Sequence, residues 1–117
     1  MKGLIIKSPW IELILQGFKT WEIRGSNITT RGKIALIKQG TGKVYGTVDL
    51  VDSKALKLDE YHQSEHFHRI PKEKAPPYKK IYAWILNNPE IFTEPIPYKH
   101  PQGAQIWVNL INTNFKD

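Results

Sequence analysis

The sequence predicts an α+β fold, a small mixed or antiparallel β-barrel of about six strands with two helices on its outside. Three observations lead there. Apolar runs of strand length recur along the 117 residues and are separated by Gly, Pro and Asn turn signals. Only residues 8–17 and 54–69 carry a helical pattern, and no segment repeats another. The chain is 40% hydrophobic with four tryptophans, enough for one core, so a single domain over residues 1–117 is expected.

Gly3 to Lys7, GLIIK, is a short apolar run suited to a buried opening strand. Ser8-Pro9 reads as a helix start, serine capping free amides and proline fitting the first helical position, and Gly17 supplies a stop. Between them Trp10, Ile11, Leu13, Ile14 and Leu15 cover most of the helix circumference. Glu12 and Gln16, four apart, are left as a narrow polar stripe, so this helix is expected to be largely buried.

Lys19 to Arg24 alternates with the period of a strand and ends at Gly25-Ser26-Asn27. Arg31-Gly32 introduces the apolar run KIALIK. Gly40 and Gly42 then turn the chain into VYGTVDLVDS, a longer strand in which Gly46 marks a bulge or a close approach. Residues 54–69, with Leu56, Leu58, Tyr61 and Phe67, read as a second, less buried helix.

PKEKAPPYKK, with three prolines and four lysines, is a basic loop that cannot continue that helix. IYAWILNN follows as an aromatic-rich strand closed by Asn88-Pro89. Pro95 and Pro97 limit IFTEPIPY to an edge or an irregular connection. QIWVNLI, residues 105–111, is the last strand, and NTNFKD is a tail.

Seventeen Lys and Arg against eleven Asp and Glu give a formal charge of +6, and the field of such a chain favours an anionic partner. There are no cysteines, which excludes disulfides, thiolate metal sites and a cysteine nucleophile. Pro9 and Glu12 interrupt the apolar start, and no small-residue cleavage site follows. Neither a signal peptide nor a membrane span is read, and a cytoplasmic address is expected.

The densest chemistry lies in residues 17–24, GFKTWEIR. Trp21 and Ile23 share one side of the strand; Thr20, Glu22 and Arg24 share the other. Glu and Arg are rarely buried alone, so a shielded Glu22 needs Arg24 or Lys19 as partner. Together they suit recognition of a base or sugar: Arg24 offers a planar fork, Glu22 accepts from an amino or hydroxyl group, and Lys19 supplies a point charge. Alternatively Glu22 and Arg24 only lock the first helix to the sheet as an ion-pair network. A catalytic role would require Lys19 to lose its proton, through desolvation or a nearby cation such as Arg24.

Lys72, Lys74, Lys79 and Lys80, with Tyr78 among them, can track a phosphate backbone while the tyrosine stacks on a base; a solvated basic loop is the other reading. His62, His66 and His68 read as surface histidines on an amphipathic helix. Asp49 and Asp52 are too few oxygen ligands for magnesium, and no metal or cofactor is expected. Tyr82 and Trp84 share a strand face and are expected in the core.

Several of these stretches occur together in one known family. The PW before a helix, GxKxxExR in GFKTWEIR, RGKIALI, VYGTVDLVD, YAWILNNP and the terminal Ile106-Trp107-Val108-Asn109-Leu110 resemble an ASCH domain over nearly the whole chain. The resemblance implies a PUA-like barrel with a polar cleft at the GxKxxExR strand beside the first helix, and binding of RNA or DNA there. It carries Gly17, Lys19, Glu22 and Arg24 into the site and puts Ser8, Pro9 and Trp10 near it.

Some small members of that family are hydrolases of acetylated cytidine and others are described as nucleases. By that comparison Lys19 and Glu22 would be the catalytic pair. Lys19-Thr20 matches the deacetylating members, but they carry a second threonine where this chain has Glu22. The leading expectation is therefore binding of RNA, another nucleic acid or a modified nucleoside at Ser8, Trp10, Lys19, Thr20, Glu22 and Arg24, with the basic loop adding Lys72, Lys74, Tyr78, Lys79 and Lys80. The rivals are a small nucleoside hydrolase or nuclease, and a protein-interaction module whose cleft holds a peptide terminus.

Overall fold

The structure, a computed structural model, describes residues 1–110. Its elements run β1 (Lys2–Ile6), α1 (Trp10–Leu15), β2 (Trp21–Arg24), β3 (Gly32–Lys38), β4 (Lys43–Leu56), α2 (Leu58–Gln63), α3 (Glu65–His68), β5 (Ile81–Pro97) and β6 (Trp107–Asn109). The strands form one six-stranded mixed sheet in the order β2-β5-β4-β3-β1-β6. Only β1 and β3 pair in parallel; the other pairings are antiparallel. The α+β class is as expected, but the sheet is not hydrogen-bonded shut, because β2 and β6 end it without pairing to each other.

Strand periodicity explains how the sheet carries cores on both faces. Leu4 and Ile6 of β1 and Ile34 and Leu36 of β3 point to the face covered by α1, where they meet Ile11, Ile14, Leu15, Val48, Leu50, Trp84 and Leu86. The alternate residues Ile5, Ala35 and Ile37 join Val44, Val108 and Leu110 on the other face. This two-sided burial is why GLII and IALI read as uninterrupted apolar runs. A third cluster, around Trp21, Ile23, Leu56, Tyr61, Ile81 and Ala83, ties β2 to α2.

Several expected elements change. Ser8 does not cap α1: Pro9 holds the cap position, and Ser8 Oγ donates instead to Glu12 Oε2 at 3.0 Å. Gly17 does end the helix, with a φ of 86° that an L residue adopts only with strain. Residues 54–69 are not one helix. β4 runs on to Leu56 because Ser53–Leu56 find ladder partners in Ile81–Trp84, and Ser64 then divides α2 from α3 by donating its hydroxyl to the Glu60 carbonyl at 2.6 Å.

β5 continues through Pro89, Pro95 and Pro97 instead of closing at Asn88. β2 pairs only with Tyr82–Ile85, so the far half of β5 is an edge that tolerates proline. Gly46 sits at a register shift, and a side chain there would run into the Glu90 carbonyl, which is the close approach expected of it. Residues 71–80 are irregular loop as read, and the tail 112–117 lies outside the described residues. Among the described residues no helix is long and apolar enough to cross a membrane.

Candidate functional site

The two faces of β2 separate as its alternation demands. Trp21 and Ile23 pack into the cluster around Tyr61, and Glu22 and Arg24 face the side covered by α1. Lys19 arrives there by a different route. After the Gly17 turn the amides of Phe18 and Lys19 both donate to the Leu13 carbonyl, at 3.0 and 3.1 Å, which draws Lys19 under the end of α1. Lys19 is 2% exposed and Glu22 7%.

The three charges form a chain. Arg24 Nε donates to Glu22 Oε2 at 2.9 Å, and Lys19 Nζ lies 3.8 Å from Glu22 Oε1. Lys19 Nζ also donates to the His68 carbonyl at 2.6 Å and lies 5.0 Å from the centre of the Trp10 ring. Arg24 rests over Trp84, 5.5 Å from the ring centre, and its Nη2 donates to the Ile5 carbonyl at 3.2 Å, linking β2 to β1 across the open seam of the sheet.

Burial pushes the Lys19 ammonium down from its ordinary 10.5 to about 8. The Arg24 charge acts in the same direction, while Glu22 opposes both. Its carbonyl anchor is itself fixed. The amide of Ile70 donates to His68 Nδ1 at 3.0 Å, so that nitrogen is bare, and Nε2 carries the proton toward the Tyr61 carbonyl at 2.7 Å. Burial holds His68 below its ordinary value, in keeping with this neutral form. His68 is therefore no surface histidine; the left-handed Arg69 that ends α3 turns its ring onto Tyr61, stacked at 4.4 Å.

Above these charges opens a cleft of about 910 Å³, a size that suits a small organic ligand. Of the residues singled out in the sequence, Trp10, Lys19, Glu22, Arg24, Lys74 and Tyr78 line it together. Lys74 reaches over Trp10, 5.8 Å from the ring centre, and Tyr78 packs against Gly25, where an added Cβ would come within 2.7 Å of its ring. Ser8, Thr20, Lys72, Lys79 and Lys80 are not among the lining residues. Ser8 is turned to Glu12, and Thr20 is occupied through its backbone, its N–H on Phe67 and its carbonyl accepting from Leu86.

The opposite wall was not foreseen. It comes from the segment between β5 and β6, where the Tyr98 hydroxyl donates to His100 Nδ1 at 2.7 Å and His100 Nε2 donates to the Ala104 carbonyl at 2.9 Å, with Gln39 and Gln105 beside them. Burial raises the Tyr98 phenol above its ordinary value, keeping it a neutral donor and acceptor. Tyr82 and Trp84 both pack with the core as expected, Tyr82 partly buried. Among the described residues no three His, Asp or Glu side chains cluster as a metal site would require.

Comparison with known proteins agrees with this architecture. A family model for the ASCH domain matches residues 4–96. Among solved structures, a serine-to-alanine mutant of the ASCH protein from Zymomonas mobilis matches with a TM-score of 0.72 at 15% identity, covering 92% of this chain and 85% of that one. The ASCH structure from the same organism matches with a TM-score of 0.70 at 14% identity, covering 86% and 82%. At such identities the likeness is one of fold. No curated protein matches the chain.

Proposed function

The chain belongs to the ASCH domain family, and on that premise we propose that it is a nucleic-acid-binding protein that takes an unpaired or modified nucleotide, of RNA in preference to DNA, into the cleft between β2 and β1. The ASCH fold is PUA-like and associated with RNA binding. The observation that carries the reading is Glu22, a nearly buried carboxylate held between Arg24 and Lys19 at the floor of the cleft. Such a carboxylate accepts from the amino and imino groups of a base's Watson–Crick edge, which an unpaired nucleotide presents and a duplex keeps paired. Trp10 and Tyr78 offer rings beside it, and the +6 charge of the chain draws a polyanion toward the opening.

The test is a titration of single-stranded RNA followed by fluorescence anisotropy at several salt concentrations. Binding should weaken as salt rises, and Glu22→Gln and Arg24→Ala should each weaken it by about tenfold or more, as expected for loss of a charge-assisted contact. Absence of binding at low salt, or affinity indifferent to salt, would overturn the proposal.

One observation favours a second reading, hydrolysis of a modified nucleoside of the acetylated cytidine type. With Lys19 lowered to about 8, about a tenth of its amine is unprotonated at pH 7, enough to act as base or nucleophile on an acyl carbon, with Glu22 placed to accept or return a proton. Glu22 stands where the deacetylating members carry a second threonine, and that keeps this reading second. Incubation with acetylated cytidine decides it: turnover must vanish in both Lys19→Ala and Glu22→Ala.

A further inference from the structure

Behind the loop of residues 71–80 lies a second hollow, of about 440 Å³, that the charged floor of the first cleft does not reach. Leu56 and Ile81, ladder partners in β4 and β5, are buried at its base, and Leu58, 56% exposed at the start of α2, forms one side. Pro76 and Pro77 form the other. Pro77 and Tyr78 line both hollows, so the partition between them is one residue pair thick, and Tyr78 on it is 40% exposed.

We propose that this hollow is a second nucleotide subsite, which takes the base next in the strand to the one held in the cleft, with Tyr78 standing between the two bases. The inference rests on the nucleic-acid reading above. Its occupant follows from shape and charge together. The walls are stiff, because two adjacent prolines have fixed φ angles, and the Tyr78 ring presents a flat aromatic face on which any base can stack.

The charged residue that lines the hollow is a lysine. Lys79 lines the hollow, and Lys57 and Lys80 are exposed beside the Leu56 and Ile81 pair. Lys57, Lys80, Asp59 and Glu60 all flank lining residues without lining the hollow themselves, and Glu60 accepts from the Lys57 amide at 2.9 Å, which leaves Lys79 as the charged group on the hollow itself. An apolar floor with a lysine beside it, continuous with a cleft that takes a nucleotide, matches a base carrying its own phosphate. An uncharged apolar peptide would leave the lysine unanswered. The same arrangement assigns a role to Lys79, which the first cleft does not use.

The experiment compares affinities for the four 5′-mononucleotides and for random single-stranded RNA of two and of ten nucleotides. The wild-type chain is set beside Leu58→Asp, Leu58→Met and Lys79→Ala. Wild type should bind the dinucleotide pool about tenfold or more tighter than the mononucleotides, the gain of one stacked base. Leu58→Asp should abolish that gain without changing mononucleotide affinity, and Leu58→Met should keep it. Lys79→Ala should lower the salt slope of ten-nucleotide binding by about 0.7, one phosphate contact, whether or not Leu58→Asp folds.

RNA binding that gains nothing from the second nucleotide, or that is indifferent to Leu58→Asp and Lys79→Ala, would overturn the subsite and leave the first cleft standing. Failure of wild type to bind RNA of any length would overturn both.

Discussion

Lys19 is the group whose burial has the largest measurable consequence. Its ammonium has an ordinary value of 10.5 and is pushed to about 8 in the folded chain. Folding therefore works against the charged form. Between those two values the unfolded chain binds a proton that the folded chain has released, so stability rises with pH through this window. It is complete above 10.5 and lost as pH falls through about 8. The gap between the two values corresponds to on the order of 3 kcal/mol at about 1.4 kcal/mol per unit, with no discount for solvent because the residue is 2% exposed.

Other lysines and tyrosines titrate over the same range, so the quantity to measure is a difference. Urea unfolding of wild type and Lys19→Met, in steps from about pH 7 to about pH 10.5, gives the stability gap between them at each pH. That gap should move in favour of wild type by on the order of 3 kcal/mol across the window, because Lys19→Met has no proton to release. A gap that stays flat would show that Lys19 titrates alike in both states. The claim that it can supply a free amine near neutral pH would fall with it.

Three further outcomes follow from the same contacts. Glu22→Gln strips the counter-charge from Lys19 and Arg24 together and should cost about 3–5 kcal/mol in urea unfolding at neutral pH, against at most about 1 kcal/mol for an exposed pair such as Arg31 with Asp52. His68 is held below its ordinary 6.5 by burial, with Tyr61, Lys19, Glu65 and His62 as the titratable groups around it. Wild type should therefore lose stability relative to His68→Gln as pH falls below about 6.5, and an unchanged difference would contradict the neutral tautomer. Gly46→Ala should cost about 1–3 kcal/mol or more and lower the melting temperature, since the new methyl meets the Glu90 backbone and lies 2.7 Å from Leu15 Cδ2.

The parts of this fold that were legible in the sequence are those governed by local period and local stereochemistry. The alternation of Trp21, Glu22, Ile23 and Arg24 fixed which residues face the cleft, Gly17 marked the end of α1, and Gly46 marked a close approach. What was not legible depends on partners distant in the chain. Ser53–Leu56 are strand only because Ile81–Trp84 lie alongside, and nothing in SKAL itself distinguishes that from a helix start. Tyr98 and His100 enter the site through the path of an irregular segment, which has no period to read. A Tyr and His two apart, ahead of Pro101 and Gly103, was the one signal, and it is a weak one.

The incomplete closure of the sheet and the position of the cleft have one cause. β6 is three residues long and begins only at Trp107, opposite Leu4. The next residue of β1, Ile5, still donates its N–H to the Ile106 carbonyl, but no further strand is there for its own carbonyl, which would be costly to leave unpaired. Arg24 fills that position from the far edge strand, so a guanidinium completes the span that a longer β6 or a paired β2 would have made with backbone. An arginine there brings its counter-charge, Glu22, and with it Lys19, into a gap walled by the 71–80 loop on one side and the Tyr98–His100 segment on the other. A fully paired barrel would have satisfied the same carbonyl and left no cleft. The polar motif at residues 19–24 is thus what allows an edge strand to end a sheet beside a cavity, and the cavity opens over the charges that hold the seam.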